Sequence, residues 1–314
     1  MSTSNVDVAI VGGGAAGLSG AVALARSLRS VIVLDAGRPR NAPASHAHNL
    51  LGREGISPAE LLQTGRIEAE HYGAQLVSAE VTEIRRTLAG ADPAFALTTS
   101  DGSTIHARRL LLATGLVDEL PDVDGLRELW GRDVLHCPYC HGYEVRGQRI
   151  GILGTGPMAM HQTLLFRQLS PHVTLIDHGL PELPEDQRAQ LDALGIKTVV
   201  GPVTRLEASE TGHLRAAILT DGTPLDLDAL VVAPRFMVRG NLFESLGGTF
   251  AEGPMGRFIP TEMGGRTTLP GVWAAGNCAD LGAMVGASAA AGMQAGAMIN
   301  ADLVMVDAQT AVAA

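Results

Sequence analysis

Twice in this chain an apolar strand runs into a glycine-rich turn and then a helix, and this repeat limits the fold more than any other feature. Val6-Asp7-Val8-Ala9-Ile10-Val11 leads into Gly12-x-Gly14-x-x-Gly17, a small-residue helix through about Ser27, and the strand Val31-Ile32-Val33-Leu34-Asp35. This is the dinucleotide fingerprint in the context it requires: strand, turn, helix, strand, terminal acid. Gly12 makes the tight turn, Gly14 admits the pyrophosphate to the backbone, and Gly17 lets helix and strand pack closely. Asp35 accepts from a ribose hydroxyl. The second unit runs from Arg149-Ile150-Gly151-Ile152-Leu153 through Gly154-x-Gly156-x-x-Ala159 and a helix to about Leu169, ending on the strand Val173 to Asp177. Two further strand-to-turn segments, Leu110 to Gly115 and Gly271 to Asn277, bracket it. The expectation is an α/β protein of two Rossmann-like domains, the second inserted into the first. Residues 1–116 and 244–314 form the first domain and 117–243 the second, joined by linkers around Leu116–Gly125 and Pro234–Asn241.

Inside the insertion stands Cys137-Pro138-Tyr139-Cys140, which uses two of the three cysteines in the chain. The spacing keeps two sulfurs within bonding reach, so the pair can cycle between dithiol and disulfide. His136 and His141 flank it directly. A zinc site made from these four residues is strained by its two pairs of adjacent ligands, and no metal is expected. A glutaredoxin-type reading fits poorly, because that domain is short and does not sit between two Rossmann turns.

The order of parts resembles the low-molecular-weight thioredoxin reductase family over nearly the whole chain. The shared parts are the Gly12/Gly14/Gly17 turn, Ala113-Thr114-Gly115, a C-x-x-C in the inserted domain, and Gly271 to Asn277. The resemblance implies FAD in the first domain, held by Gly12, Gly14, Ala16, Gly17, Asp35 and Ala36. It adds Ala113, Thr114, Gly115, Gly276, Asn277 and Val285 from later segments. Val81, in Glu80-Val81-Thr82-Glu83, resembles the residue whose backbone meets adenine, and His48 stands in a loop that passes near the isoalloxazine. It also implies that Cys140 faces the flavin while Cys137 exchanges with substrate, and that the protein is a homodimer.

The departures from that family are as informative. The residue after the second cysteine is His141, where an acid is usual. The basic run that holds the 2′-phosphate of NADPH is replaced by Asp177-His178-Gly179-Leu180, and a carboxylate there repels phosphate. Ala233-Pro234 puts a ring where a glycine turn would meet the nucleotide. The segment His136 to Glu144, with Arg40-Asn41-Ala42-Pro43, instead resembles the gliotoxin- and holomycin-type dithiol oxidase branch. Arg40 and Asn41 join the cofactor-binding candidates on that ground.

The resemblance implies a small-molecule dithiol and O2 as substrates. Substrate thiolate attacks Cys137, a second substrate thiolate closes the product disulfide, and electrons leave through Cys140 to flavin and oxygen, giving hydrogen peroxide. Thiols react as thiolates, so a base with a near-neutral pKa suits this direction; His141 is the first candidate and His136 the second. The alternative is an NAD(P)H-dependent thioredoxin-disulfide reductase. A net charge of −10 with no basic block argues against nucleic acid and anionic membrane as partners. The apolar start lacks a basic n-region, and Ala274 to Met298 is broken by Gly, Asn and Asp, so a cytoplasmic location is expected.

Overall fold

The computed structural model describes residues 3–89 and 92–313. The chain divides into two compact units, one of residues 1–42, 57–117 and 236–314, the other of 43–56 and 118–235.

The first unit is built on a sheet whose strand order is Gln75–Ser78, Val31–Asp35, Thr3–Val11, Thr104–Leu112, Asp92–Thr99, Val81–Ala89, with Val272–Ala274 also paired to Thr104–Leu112. Its parallel strands read as unbroken apolar runs because both faces are covered. Val8, Ala9, Ile10, Leu110 and Leu111 are all fully buried. One face packs on the helix Ala15–Arg26 and the C-terminal helix Val285–Ala313; the other carries Phe95, Leu97, Phe236 and Phe243. Phe236, Val238 and Phe243 belong to this core, which moves the second boundary to Arg235/Phe236, earlier than the sequence suggests.

The C-terminal helix runs unbroken from Val285 to Ala313, long and apolar enough by length and composition to cross a membrane, while the run from Ala274 to Met298 is interrupted before Val285 by a short turn at Gly276–Cys278 and a loop. Its small residues have another use. A Cβ on Gly292 would lie 1.9 Å from the Ala16 carbonyl oxygen, and one on Gly296 2.8 Å from that of Gly20. The two helix backbones therefore touch directly. Asp302 of this helix pairs with Arg109 and Arg266, and Asp307 with Arg29 and Arg108, tying the helix to the sheet.

The second unit has a parallel sheet in the order Lys197–Val200, Val173–Asp177, Ile150–Gly154, Ala229–Val231, Val134–Leu135. The helix Met158–Leu169 follows the Gly154 turn, as the sequence pattern predicts. The strand Val134–Leu135 ends at His136 and so delivers the cysteine pair to the edge of this sheet.

Candidate active site

In the first unit the glycine turn is shaped by contacts that only glycine permits. Gly12 has φ +109°, and a Cβ there would fall 2.2 Å from the Ala113 carbonyl oxygen. At Gly17 it would fall 1.9 Å from the Gly12 carbonyl oxygen. Gly14 differs: among the described residues, nothing beyond its own chain neighbours lies within 4 Å of its Cβ position. It caps the helix Ala15–Arg26 with no side-chain acceptor, so the helix amides there are left for a ligand. Around this turn the backbone draws in the other candidates. Ala113 N–H donates to Val11, Ala275 N–H to Leu112, and Ala79 N–H to Asp35, which brings Val81 to the same end of the sheet. A Cβ on Gly276 would meet Ala16 at 2.9 Å. The Thr114 hydroxyl is buried with no hydrogen-bond partner. An open glycine, an uncapped helix start and an orphaned hydroxyl together fit a dinucleotide such as FAD.

Other members of the set carry structural duties. Asp35 accepts from Arg66 at 2.6 Å and from the Gly37 amide at 3.2 Å. Arg66 was not singled out by sequence, since it stands on a separate helix, Pro58–His71. Asn277 spends its amide on the carbonyls of Asp280, Leu281 and Ala283, bracing the loop before Val285. The Arg40 guanidinium lies 4.7 Å from the centre of the Phe236 ring. Ala36 follows Asp35 directly, and Asn41 is half-buried beside Arg40 in sequence. Cys278 is fully buried, bonded to the carbonyls of Leu112 and Ala275, and burial pushes its thiol pKa up.

In the second unit, Cys137 caps a one-turn helix, Pro138–His141, with proline in the first turn where no amide is needed. Cys140 and His141 donate their amides back to the Cys137 carbonyl at 3.3 and 3.2 Å. Both cysteines are half-buried, while Tyr139 and Tyr143 stand out in solvent. Gly142 lets the turn seat tightly, since a Cβ would lie 2.4 Å from Leu169 Cδ1. His136 donates its Nδ1 proton to the Val232 carbonyl at 3.1 Å, which leaves Nε2 as its lone-pair nitrogen. Buried Gln162 donates to the Val232 and His136 carbonyls at 3.2 Å each and holds this arrangement from below.

His141 is mostly buried and its Nε2 has no hydrogen-bond partner. Burial drives its pKa below the ordinary histidine range, the Glu144 carboxylate opposes that, and His48 and His46 reinforce it. His48, expected beside the cofactor, is the one cofactor candidate that falls in the second unit. Its ring meets His141 edge to face, with centroids 6.4 Å apart. The loop that carries it is pinned to the cysteine turn by Asn49, whose Nδ2 donates to the Tyr139 carbonyl at 2.5 Å and whose φ is +58°. Among the described residues no cluster has the makings of a metal site.

In the second unit's own glycine turn the first glycine is crowded and the second, Gly156, is as open as Gly14. A Cβ on Gly154 would lie 2.4 Å from Leu180 Cδ1, so the Leu180 side chain rests directly on the turn. Asp177 accepts from the Gly179 and Leu180 amides at 3.2 and 2.9 Å, folding that loop inward. His178 accepts the Val203 amide at 2.9 Å, and burial lowers its pKa.

Residues 6–300 match the model for pyridine nucleotide-disulphide oxidoreductases. The chain belongs to that family. It is similar to thioredoxin reductase tcpT of Claviceps purpurea, 36% identical over 91% of this chain and 89% of the relative. It is also similar to thioredoxin reductase sirT of Leptosphaeria maculans, 31% identical over 94% and 93%. Among solved structures, that of HlmI superposes with a TM-score of 0.92 at 42% identity, covering 98% of this chain and 95% of that one. The resemblance read from the sequence is borne out: this is a thioredoxin-reductase-like oxidoreductase of a flavin-dependent family.

Proposed function

We propose that the chain is an FAD-dependent dithiol oxidase that closes a disulfide within a small molecule through Cys137 and Cys140, with O2 as terminal acceptor and H2O2 as product. The observation that carries this reading is the Cys137/Cys140 turn with His141 beside it, a mostly buried imidazole whose Nε2 has no hydrogen-bond partner among the described residues and which can take the protons of a thiol. Asp177, bonded to the Gly179 and Leu180 amides, puts a carboxylate where the 2′-phosphate of NADPH would lie, which disfavours NADPH as the electron donor.

FAD, held at the Gly12–Gly17 turn and near Thr114, supplies the two-electron acceptor. The protein's own groups do the rest. Cys137 and Cys140 are reduced thiols here; once they are oxidised to a disulfide, substrate thiolate attacks Cys137, the Cys137–Cys140 bond breaks, Cys140 leaves as thiolate and a mixed disulfide forms. The second substrate thiolate attacks the substrate sulfur of that bond, so one S–S bond forms in the product, and the enzyme sulfurs take the two electrons. His141 accepts substrate protons. Its buried imidazole is held neutral at pH 7 because its pKa lies below the ordinary value of about 6.5. The sign follows: turnover falls on the acid side, as pH drops through that depressed value and the base is protonated.

The test is oxygen uptake with dithiothreitol as a model dithiol. Peroxide is expected to form in step with oxygen consumed, with no stimulation by NADPH and thioredoxin. His141→Ala is expected to lower uptake at pH 7 by roughly 10²–10⁴-fold with FAD content unchanged, and higher pH restores part of it because the thiols ionise unaided. Thioredoxin-dependent NADPH oxidation would overturn the proposal in favour of a reductase.

A further inference from the structure

Oxidation of a dithiol releases two protons as two S–H bonds break, and one imidazole holds one of them. Next to His141 stands a second imidazole with matching properties. His48 Nδ1 lies 2.7 Å from Glu54 Oε1, and a carboxylate only accepts, so Nδ1 carries the hydrogen and Nε2 the lone pair. That Nε2 is buried and has no hydrogen-bond partner, as is also true of His141 Nε2. Glu144 Oε1 lies 3.6 Å from His48 Nε2, beyond a hydrogen bond but within reach of an ion pair. A protonated His48 would thus have a carboxylate at each end. Glu54 is held in place by the Asn49 amide at 2.9 Å, and its pKa is lowered chiefly by the His48 hydrogen bond. The groups facing His48 are His46 and Glu54 from its own loop and His141 and Glu144 from the cysteine turn.

We propose that His48 takes from His141 the proton of the first substrate thiol, so that His141 is bare again when the second thiol has to ionise. Two protons leave the substrate and two imidazoles receive them. The inference rests on the dithiol reading above. His48 acts through His141 and is a positioning residue, with Glu54 fixing its tautomer. The two rings meet edge to face with centroids 6.4 Å apart.

The experiment uses the FAD-loaded protein and two probes. Dithiothreitol requires both ionisations in one encounter, whereas the first exchange with the monothiol 2-mercaptoethanol requires one. At pH 7, His48→Gln is expected to slow dithiothreitol turnover by about tenfold or more while the first 2-mercaptoethanol exchange changes by less than about twofold. At high pH the dithiothreitol rates of variant and parent converge. Glu54→Gln gives the same pattern more weakly. Imidazole NMR of the unsubstituted protein, independent of any turnover, is expected to show His48 as the Nδ1–H tautomer. Equal losses with both thiols, an unchanged pH profile, or an Nε2–H tautomer at His48 would each overturn the proposal. Failure of the dithiol reading would look different: the NMR and monothiol results would stand while dithiothreitol drove no oxygen uptake.

Discussion

Cys137→Ser and Cys140→Ser each abolish dithiol turnover, and only one of them changes colour. Serine is isosteric and neither position is in a core, so both variants keep the fold; the half-buried one-turn helix tolerates the exchange. A hydroxyl cannot form the mixed disulfide or the internal one, so the loss is complete. On the proposed mechanism, Cys140 is the sulfur that hands electrons to the flavin. In Cys137→Ser, the Cys140 thiolate then donates charge to oxidised FAD and gives a broad long-wavelength absorbance. Cys140→Ser gives none. Absorbance in Cys140→Ser instead would reverse the roles of the two sulfurs.

The second large effect separates two glycines of one turn. Gly14→Val leaves the chain folded, since its φ of −79° suits any residue and, among the described residues, nothing beyond its chain neighbours lies within 4 Å of the new Cβ. Valine is a poor helix cap, which costs about 1 kcal/mol. What the variant loses is FAD, because the side chain fills the space the pyrophosphate needs. Purified Gly14→Val is expected to be colourless, with the far-UV dichroism of the parent. Gly17→Ala does the reverse: its Cβ would sit 1.9 Å from the Gly12 carbonyl oxygen, so it destabilises the fold by about 3 kcal/mol. Full FAD content in Gly14→Val would show that the cofactor lies elsewhere.

The glycine turns, their flanking strands and the cysteine pair were legible in the sequence because each is a local pattern whose spacing carries its own geometry. The Gly12 and Gly17 contacts are what the fingerprint spacing implies. Asp177 was legible as a charge in the wrong place for NADPH. The Leu180 side chain was not, because its seat on Gly154 depends on how the loop turns after the strand Val173–Asp177. Glu54, Gln162 and Arg66 also escaped notice: their partners, His48, His136 and Asp35, are met only once separate segments are folded together. His48 was noticed for its place in a loop, but no periodicity tells which surface that loop covers. Its packing against His141 is set by Asn49, whose bond to the Tyr139 carbonyl joins segments far apart in the chain. The second domain boundary shifted for a related reason, since Phe236 reads as a linker residue and Phe243 as the last residue of the inserted domain until the core they fill is seen.

On the proposed function, electrons reach the flavin from a dithiol and not from NADPH. The direct measurement is anaerobic stopped-flow mixing of the yellow protein with NADPH, NADH or dithiothreitol, following the flavin absorbance. Bleaching by dithiothreitol at the turnover rate is expected, with no comparable bleaching by NADPH, because the Asp177 carboxylate stands where its 2′-phosphate would lie. Rapid bleaching by NADPH with none by dithiothreitol would contradict it.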